Sequence, residues 1–193
     1  HRHRRLPAAV SGRLILAYGG SGSGKSAWAE RTLLAEAAGS PGSRAVYLAA
    51  METSSPEAAA RIARHRAMRA RHGAEAGLEF ITLERTADVG GAAVLPGDFI
   101  LLEDLGNLLA NEIWLPEGAG WDGAAARILS GIRTLLDRSP LLVVVSGDVF
   151  ADGGGYDGDT MAYIRLLGGL HCALAALAER TVEVVCGIPL EQA

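Results

Sequence analysis

Lysine is almost missing from this chain: of 18 basic residues among 193, 17 are Arg and one is Lys25. Arg replaces Lys at most solvated positions, but not where a compact, flexible point charge is needed, so the place of the sole Lys carries information. Cysteine is nearly as scarce, with only Cys172 and Cys186. Their spacing makes neither a metal-ligand set nor a disulfide framework, and both are expected as reduced core thiols of a cytoplasmic protein. Long apolar runs are missing as well. The longest run of Leu, Ile and Val, Leu141-Leu142-Val143-Val144-Val145, has the size of a buried strand, far below the ~18–20 residues of a membrane span. Excess positive charge is also lacking, since the net charge is −4; this gives no electrostatic case for nucleic acid or a membrane surface as partner.

What is present fits a globular enzyme-sized unit. Hydrophobic residues make up 49% and charged residues 21%, which excludes disorder as the dominant state. Residues 13–193 are expected to form one domain. Residues 1–12 are expected as a poorly ordered N-terminal extension, and no apolar stretch of ~7–15 residues follows the basic tip His1-Arg2-His3-Arg4-Arg5, which makes it a poor signal peptide.

Strand and helix patterns alternate along the chain. Strands are expected at 14–18, 45–49, near 79–83, 98–103, 141–145 and 181–186, with helices over 25–38, from Ser55-Pro56-Glu57 to about 71, and within 104–114, 122–137 and 159–178. Such alternation implies βαβ units, hence a mainly parallel sheet covered on both faces. Two Gly-rich acidic segments stand out. Residues 115–123 are expected as a mobile surface connection, and 151–159, after a buried strand, as a candidate lid.

Gly19-Gly20-Ser21-Gly22-Ser23-Gly24-Lys25-Ser26 satisfies G-x-x-x-x-G-K-[ST] between an apolar strand and a helix-forming segment. The glycines let consecutive N–H groups turn toward phosphate oxygens, and the helix start adds its positive end. Lys25 is then placed to bridge the terminal phosphates and the Ser26 hydroxyl to ligate Mg²⁺. A second strand must supply an acid for the metal's water shell. Phe99-Ile100-Leu101-Leu102-Glu103-Asp104 offers two, of which Glu103 is favoured and Asp104 comes second, one of them serving as a helix cap.

Residues 56–71 carry a basic stripe. At ~100° per residue Arg61, His65, Arg69 and His72 share one side of a helix, nearly free of acidic partners at helical spacing. With Ile62 and Met68 its only large apolar residues, this helix is expected to bury little. Such a face is either a solvated basic surface or a seat for a polyphosphate on Arg61, Arg66 and Arg69. His65 lies among four arginines, which disfavour its protonated form; the residues alone leave it open between a neutral nucleophile able to form a covalent intermediate and a surface His without a role.

The P-loop, the segment Ala59-Ala60-Arg61-Ile62-Ala63-Arg64-His65-Arg66, the segment Asn107-Leu108-Leu109-Ala110-Asn111-Glu112 after Leu101-Leu102-Glu103, then Val149-Phe150-Ala151-Asp152-Gly153, Leu166-Leu167-Gly168 and Val182-Glu183-Val184-Val185-Cys186-Gly187-Ile188-Pro189 together resemble one family. It is the bifunctional adenosylcobinamide kinase / adenosylcobinamide-phosphate guanylyltransferase of cobalamin biosynthesis, and the resemblance spans about 13–190. It implies a RecA-like P-loop NTPase domain and a homotrimer. It also implies ATP or GTP as phosphoryl donor to the aminopropanol hydroxyl of adenosylcobinamide, then transfer of GMP from GTP to that phosphate through His65. Nucleotide contacts implied are Gly19 to Ser26, Ala49, Ala50, Met51, Arg66, Ala67, Met68, Arg69, Glu84 and Glu103. The chain departs from the family's usual pattern at Ser146-Gly147-Asp148, at His171-Cys172 and in a longer stretch over 71–77. Rival expectations are a small-molecule P-loop kinase without guanylyl transfer and a non-catalytic nucleotide-binding protein.

Overall fold

The computed structural model describes residues 12–51, 56–148 and 157–192. Residues 1–11 of the N-terminal extension, the Ser55 cap and residues 151–156 of the candidate lid lie outside the described residues. Seven strands form one sheet: β1 (Arg13–Gly19), β2 (Arg44–Ala49), β3 (Glu79–Glu84), β4 (Phe99–Glu103), β5 (Leu141–Gly147), β6 (Arg180–Val185) and β7 (Ile188–Glu191). Their order is β3-β2-β4-β5-β1-β6-β7, and every pairing is parallel except β6–β7. The P-loop strand β1 and the acid-bearing strand β4 are separated by one strand, β5, which is the RecA-like arrangement.

Among the described residues five α-helices cover the sheet: α1 (Lys25–Ala38), α2 (Pro56–Glu75), α3 (Leu105–Trp114), α4 (Gly120–Leu136) and α5 (Gly158–Leu177). Alternation along each inner strand divides the core. Leu14 and Leu16 of β1 pack with Leu105, Ile128, Ile132 and Leu170 on the α3–α4–α5 side. Ile15 and Ala17 pack with Trp28, Ala29 and Leu33 of α1 on the other. Burial on both faces explains why β4 and β5 read as unbroken apolar runs.

Several expectations need correction. Helix α2 runs to Glu75, absorbing most of the longer stretch, and Gly77 turns the chain at φ 72°. As expected it buries little: among its described residues only Arg69 and Gly73 are buried, and Met68 stays 41% exposed. Gly73 must be Gly: a Cβ there would lie 2.6 Å from Phe80 Cβ on β3. The basic stripe does find acids, but on other elements, with Arg66 on Glu84 at 2.5 Å and His72 Nδ1 on Glu30 Oε1 at 2.6 Å. The 115–119 connection is fastened, with Arg127 donating to Glu117 O at 2.7 Å and Gly118 N to Leu115 O at 2.9 Å. Residues from Gly120 onward are already helical.

Both cysteines are exposed, not core thiols. Cys172 lies outward on α5, whose inward positions are Leu167, Leu170 and Leu174. By length and composition α5 would suffice to cross a membrane. A search for unbroken runs passes over it because Arg165 and His171 interrupt the sequence, and here those three leucines pack it on the sheet. Cys186 and Gly187 form the two-residue turn between β6 and β7, with φ of 49° and 77°. Positive φ at both positions is the twist a tight hairpin needs, with Gly second.

Candidate active site

The P-loop leaves β1 at Gly19 and enters α1 at Lys25. Gly22 and Gly24 hold φ of 69° and 87°, open to Gly at no steric cost. The hairpin tip supports the loop, since Gly187 N donates to Ser23 O at 2.7 Å, and Asp148 N donates to Gly19 O at 3.0 Å. Gly24 caps α1 without any side-chain bond, so the first-turn amides of α1 face the loop's concavity without a side-chain acceptor. Ser23 Oγ is buried without a hydrogen-bond partner among the described residues. Lys25 Nζ donates to Gly20 O at 3.1 Å, folded back along the loop.

Glu103 ends β4 opposite α1. Its Oε1 takes a short hydrogen bond from Ser26 Oγ, and its Oε2 takes the Tyr47 hydroxyl at 2.8 Å. Asp104 accepts from Asn107 N at 2.6 Å and so caps α3. The two acids thus divide their roles as the spacing suggested, one toward Ser26 and one at a helix start. Burial pushes the Asp104 carboxyl above its usual value, and the Glu103 charge adds to this against the opposing Asn107 bond. An acid with a raised folded value binds its proton more tightly when folded. Its contribution to stability is therefore lost as pH rises through the window just above the ordinary ~3.9. Asp104→Asn keeps a capping oxygen and removes that slope. Urea unfolding should show the variant at least as stable as the parent near neutral pH, with any advantage fading in acid; a less stable variant at neutrality would contradict this.

A cavity of about 760 Å³ opens between α1 and α2. Ser26, Glu103 and Asp104 line one part of it, and His65, Met68 and His72 of α2 line another, with Met51 also in its wall. His65 itself is exposed. A smaller hollow beside it is bordered by Ala49, Tyr47, Arg69 and Glu84. Of the expected contacts, then, Ser26, Met51, His65, Met68 and Glu103 share one cavity, and Lys25 adjoins it through the chain. Arg66 and Glu84 pair beside the hollow. Ala67 is exposed on α2, whereas Ala50 is fully buried, its N–H bonded to Glu103 O at 3.0 Å. Arg69 is buried with its guanidinium over the Tyr47 ring, 3.7 Å from the centroid. Arg61 belongs to α2, one turn before His65, but its side chain lies outside the described structure.

Sequence reasoning missed the task of the Asn107–Glu112 segment. Asn111 Nδ2 donates to Ala50 O at 2.6 Å and Thr86 O at 2.9 Å, fastening the ends of β2 and β3 beside the cavity. Glu112 is fully buried and accepts from Arg127 and from the backbone N–H groups of Asp88 and Ala119. Two departures from the family's pattern also meet: His171 Nε2 lies 2.7 Å from Ser146 Oγ, beneath the Tyr18 ring. Burial lowers the His171 imidazole below its usual range, against the opposing Asp148 charge.

Among solved structures, the chain is similar to the flagellar accessory protein FlaH from Methanocaldococcus jannaschii. The identity is 11% and the TM-score 0.45, over 90% of this chain and 71% of that one. It is likewise similar to a KaiC-like protein from Pyrococcus horikoshii at 14% identity and a TM-score of 0.47, over 90% and 72%. No curated protein sequence matches it at a significant level. The family comparison reaches further. The model for cobinamide kinase / cobinamide phosphate guanyltransferase matches residues 15–192, from inside β1 through β7, so the P-loop, the His65 helix and the Asn107–Glu112 fastening all fall within it, and the chain belongs to that bifunctional enzyme family of cobalamin biosynthesis.

Proposed function

We propose that this enzyme phosphorylates adenosylcobinamide from ATP or GTP and then transfers GMP from GTP to the new phosphate through His65, acting as a cytoplasmic homotrimer. The observation that carries the reading is the shared cavity: the P-loop hydroxyl of Ser26, bonded to Glu103, and the exposed imidazole of His65 open into one space.

In the kinase step the α1 amides and the P-loop N–H groups hold the donor's phosphates. Lys25 leaves Gly20 O to meet negative charge growing on the transferred group, and the fixed donors need no reorganisation as that charge appears. Ser26 and Glu103 present converging oxygens, which fits a hard cation. Among the described residues no three His, Cys, Asp or Glu side chains cluster, so a cation here would rest on these two groups, phosphates and water, as Mg²⁺ commonly does. Bound there, Mg²⁺ would supply charge neutralisation to the phosphates.

In the second step a ring nitrogen of His65 attacks the α-phosphorus of GTP through its lone pair. The P–N bond forms, the bond from the α-phosphorus to the bridging oxygen breaks, and pyrophosphate leaves with that electron pair. An oxygen of the cobinamide phosphate then attacks the same phosphorus, and the P–N bond breaks to restore the imidazole. Arg66 stands next to His65 in sequence and would need to exchange Glu84 for a phosphate to assist.

Incubation with α-labelled GTP and Mg²⁺ followed by denaturation tests this. The parent protein should retain label that is lost in acid and kept in alkali, and His65→Ala should retain none. Absence of label in the parent with nucleotide binding intact would overturn the guanylyl-histidine and leave a P-loop kinase or a nucleotide-binding protein.

A further inference from the structure

Tyr47 occupies the middle of β2, where a strand covered on both faces calls for an apolar residue, and it makes two polar engagements at once. Its hydroxyl donates to Glu103 Oε2 at 2.8 Å. Its ring carries the guanidinium of Arg69, which is 4% exposed and also donates to Thr82 Oγ1 at 3.3 and 3.1 Å. A continuous chain of contacts therefore runs from α2 to the P-loop: Arg69, Tyr47, Glu103, Ser26.

We infer that Tyr47 is a positioning residue, holding Glu103 for the cation beside Ser26 with its hydroxyl and holding the His65 turn of α2, through Arg69, with its ring. The inference rests on the reading of this cavity proposed above. A carboxylate torsion of Glu is broad and roughly two-fold, so a carboxylate with one anchor swings. Here Ser26 fixes Oε1 and Tyr47 fixes Oε2. The Ser26 hydroxyl has one proton and two lone pairs; a Glu103 that stays in place takes the proton and leaves the lone pairs for a cation. Arg69 follows His65 by four residues, one helical turn, so a ring that seats Arg69 seats the turn bearing the imidazole. A cation over an aromatic face holds better when it is withdrawn from water, and Arg69 is buried here over a half-buried ring.

Two variants separate the hydroxyl from the ring. Tyr47→Phe keeps the face under Arg69 and removes the bond to Glu103, whereas Tyr47→Leu removes both. GTP binding is titrated by calorimetry in EDTA and across a range of Mg²⁺, with thermal unfolding to show that each variant is folded. Loss of a partner that orients a metal-holding group costs about 10–100-fold in metal affinity. For Tyr47→Phe the Mg²⁺ needed for half-maximal strengthening of GTP binding should rise by about tenfold, the low end of that range. Its affinity in EDTA should be unchanged, and His65 labelling at saturating Mg²⁺ should stay close to the parent's. Tyr47→Leu should add a slower rate of His65 labelling that excess Mg²⁺ does not restore.

An unchanged Mg²⁺ requirement in Tyr47→Phe would overturn the link to Glu103, as would equal weakening with and without Mg²⁺. A folded Tyr47→Leu that labels at the parent's rate would overturn the link to α2. Should Tyr47→Leu not fold, Arg69→Gln, which removes the charge from above the ring, takes its place in the labelling arm with the same expectation. If the parent carries no label, the guanylyl-histidine fails by itself, and the Mg²⁺ titration of Tyr47→Phe still decides whether Tyr47 serves Glu103.

Discussion

Lys25→Ala should lower the rate of phosphoryl transfer to cobinamide by about 10²–10³, or about 3–4 kcal/mol at the transition state, the usual cost of deleting one preorganised donor to developing charge. Little of that loss should come from folding. Among the described residues the Lys25 ammonium has one hydrogen bond, to Gly20 O at 3.1 Å, and a partly exposed Lys→Ala change away from the core ordinarily shifts stability by no more than ~0.5 kcal/mol. Lys25→Arg should remain impaired, because a planar guanidinium fork does not reproduce a compact charge on a flexible stem inside a glycine loop. Guanylylation of His65 should fall as well, but by less. Pyrophosphate departs from the phosphates that Lys25 faces, while the attack itself occurs at the α-phosphorus. Rapid-quench measurement of both half-reactions at saturating nucleotide checks this order. A variant that kept phosphoryl transfer within about fivefold of the parent, roughly 1 kcal/mol, would remove Lys25 from the reaction and leave the sole lysine of this chain without a role.

The parts of this site that could be read from the sequence are those written contiguously. The P-loop is eight neighbouring residues, Glu103 ends an unmistakable apolar strand, and His65 sits in a run of arginines. What could not be read depends on register and on which side of an element faces inward. Tyr47 meets Glu103 only because β2 lies beside β4 with Ala49 opposite Glu103. Nothing local distinguishes such a tyrosine from one filling the core. Arg69 looks like its solvated neighbours until the sheet edge is placed under it, where the flat Tyr47 ring offers a cation a dry seat. Helix α5 is apolar on most of its circumference, so its sequence does not say that Leu167, Leu170 and Leu174 turn inward and Cys172 outward. Strand β7 was hidden for another reason. The Cys186-Gly187 turn is not one of the Asn-Gly or Asp-Gly pairs that announce a hairpin, and the four residues after it include Pro189 and are all exposed, so they lack the alternation that marks a half-buried strand.

Glu112→Ala should cost about 3–5 kcal/mol, the range for breaking a buried ion pair from one side. Glu112 is fully buried, and it answers three groups that the variant would abandon. These are the Arg127 guanidinium, with Nε at 2.8 Å and Nη2 at 2.5 Å, the Asp88 N–H at 2.7 Å, and the Ala119 N–H at 3.0 Å. The hydrogen bond to Glu112 holds the Arg127 guanidinium above its usual value, as a partner that favours the charged form must. The Arg127 side chain keeps 32% of its surface, so water recovers part of its loss, and the lower half of the range is the better expectation. For a chain of this size that corresponds to a fall of about 6–16 °C in Tm, at 2–4 °C per kcal/mol. Glu112→Gln retains the shape and an acceptor oxygen but not the charge, and should lie between the two. Because Glu112 faces neither Ser26 nor His65, the alanine variant should still take GMP label on His65 at low temperature, where its folded fraction is restored. Guanidinium unfolding with an unchanged m value would identify the loss as native-state stability. A loss below about 1 kcal/mol, the worth of a single ordinary hydrogen bond, would mean that water or a rearranged Glu117 replaces the carboxylate, and that the 115–119 connection is not fastened through Glu112.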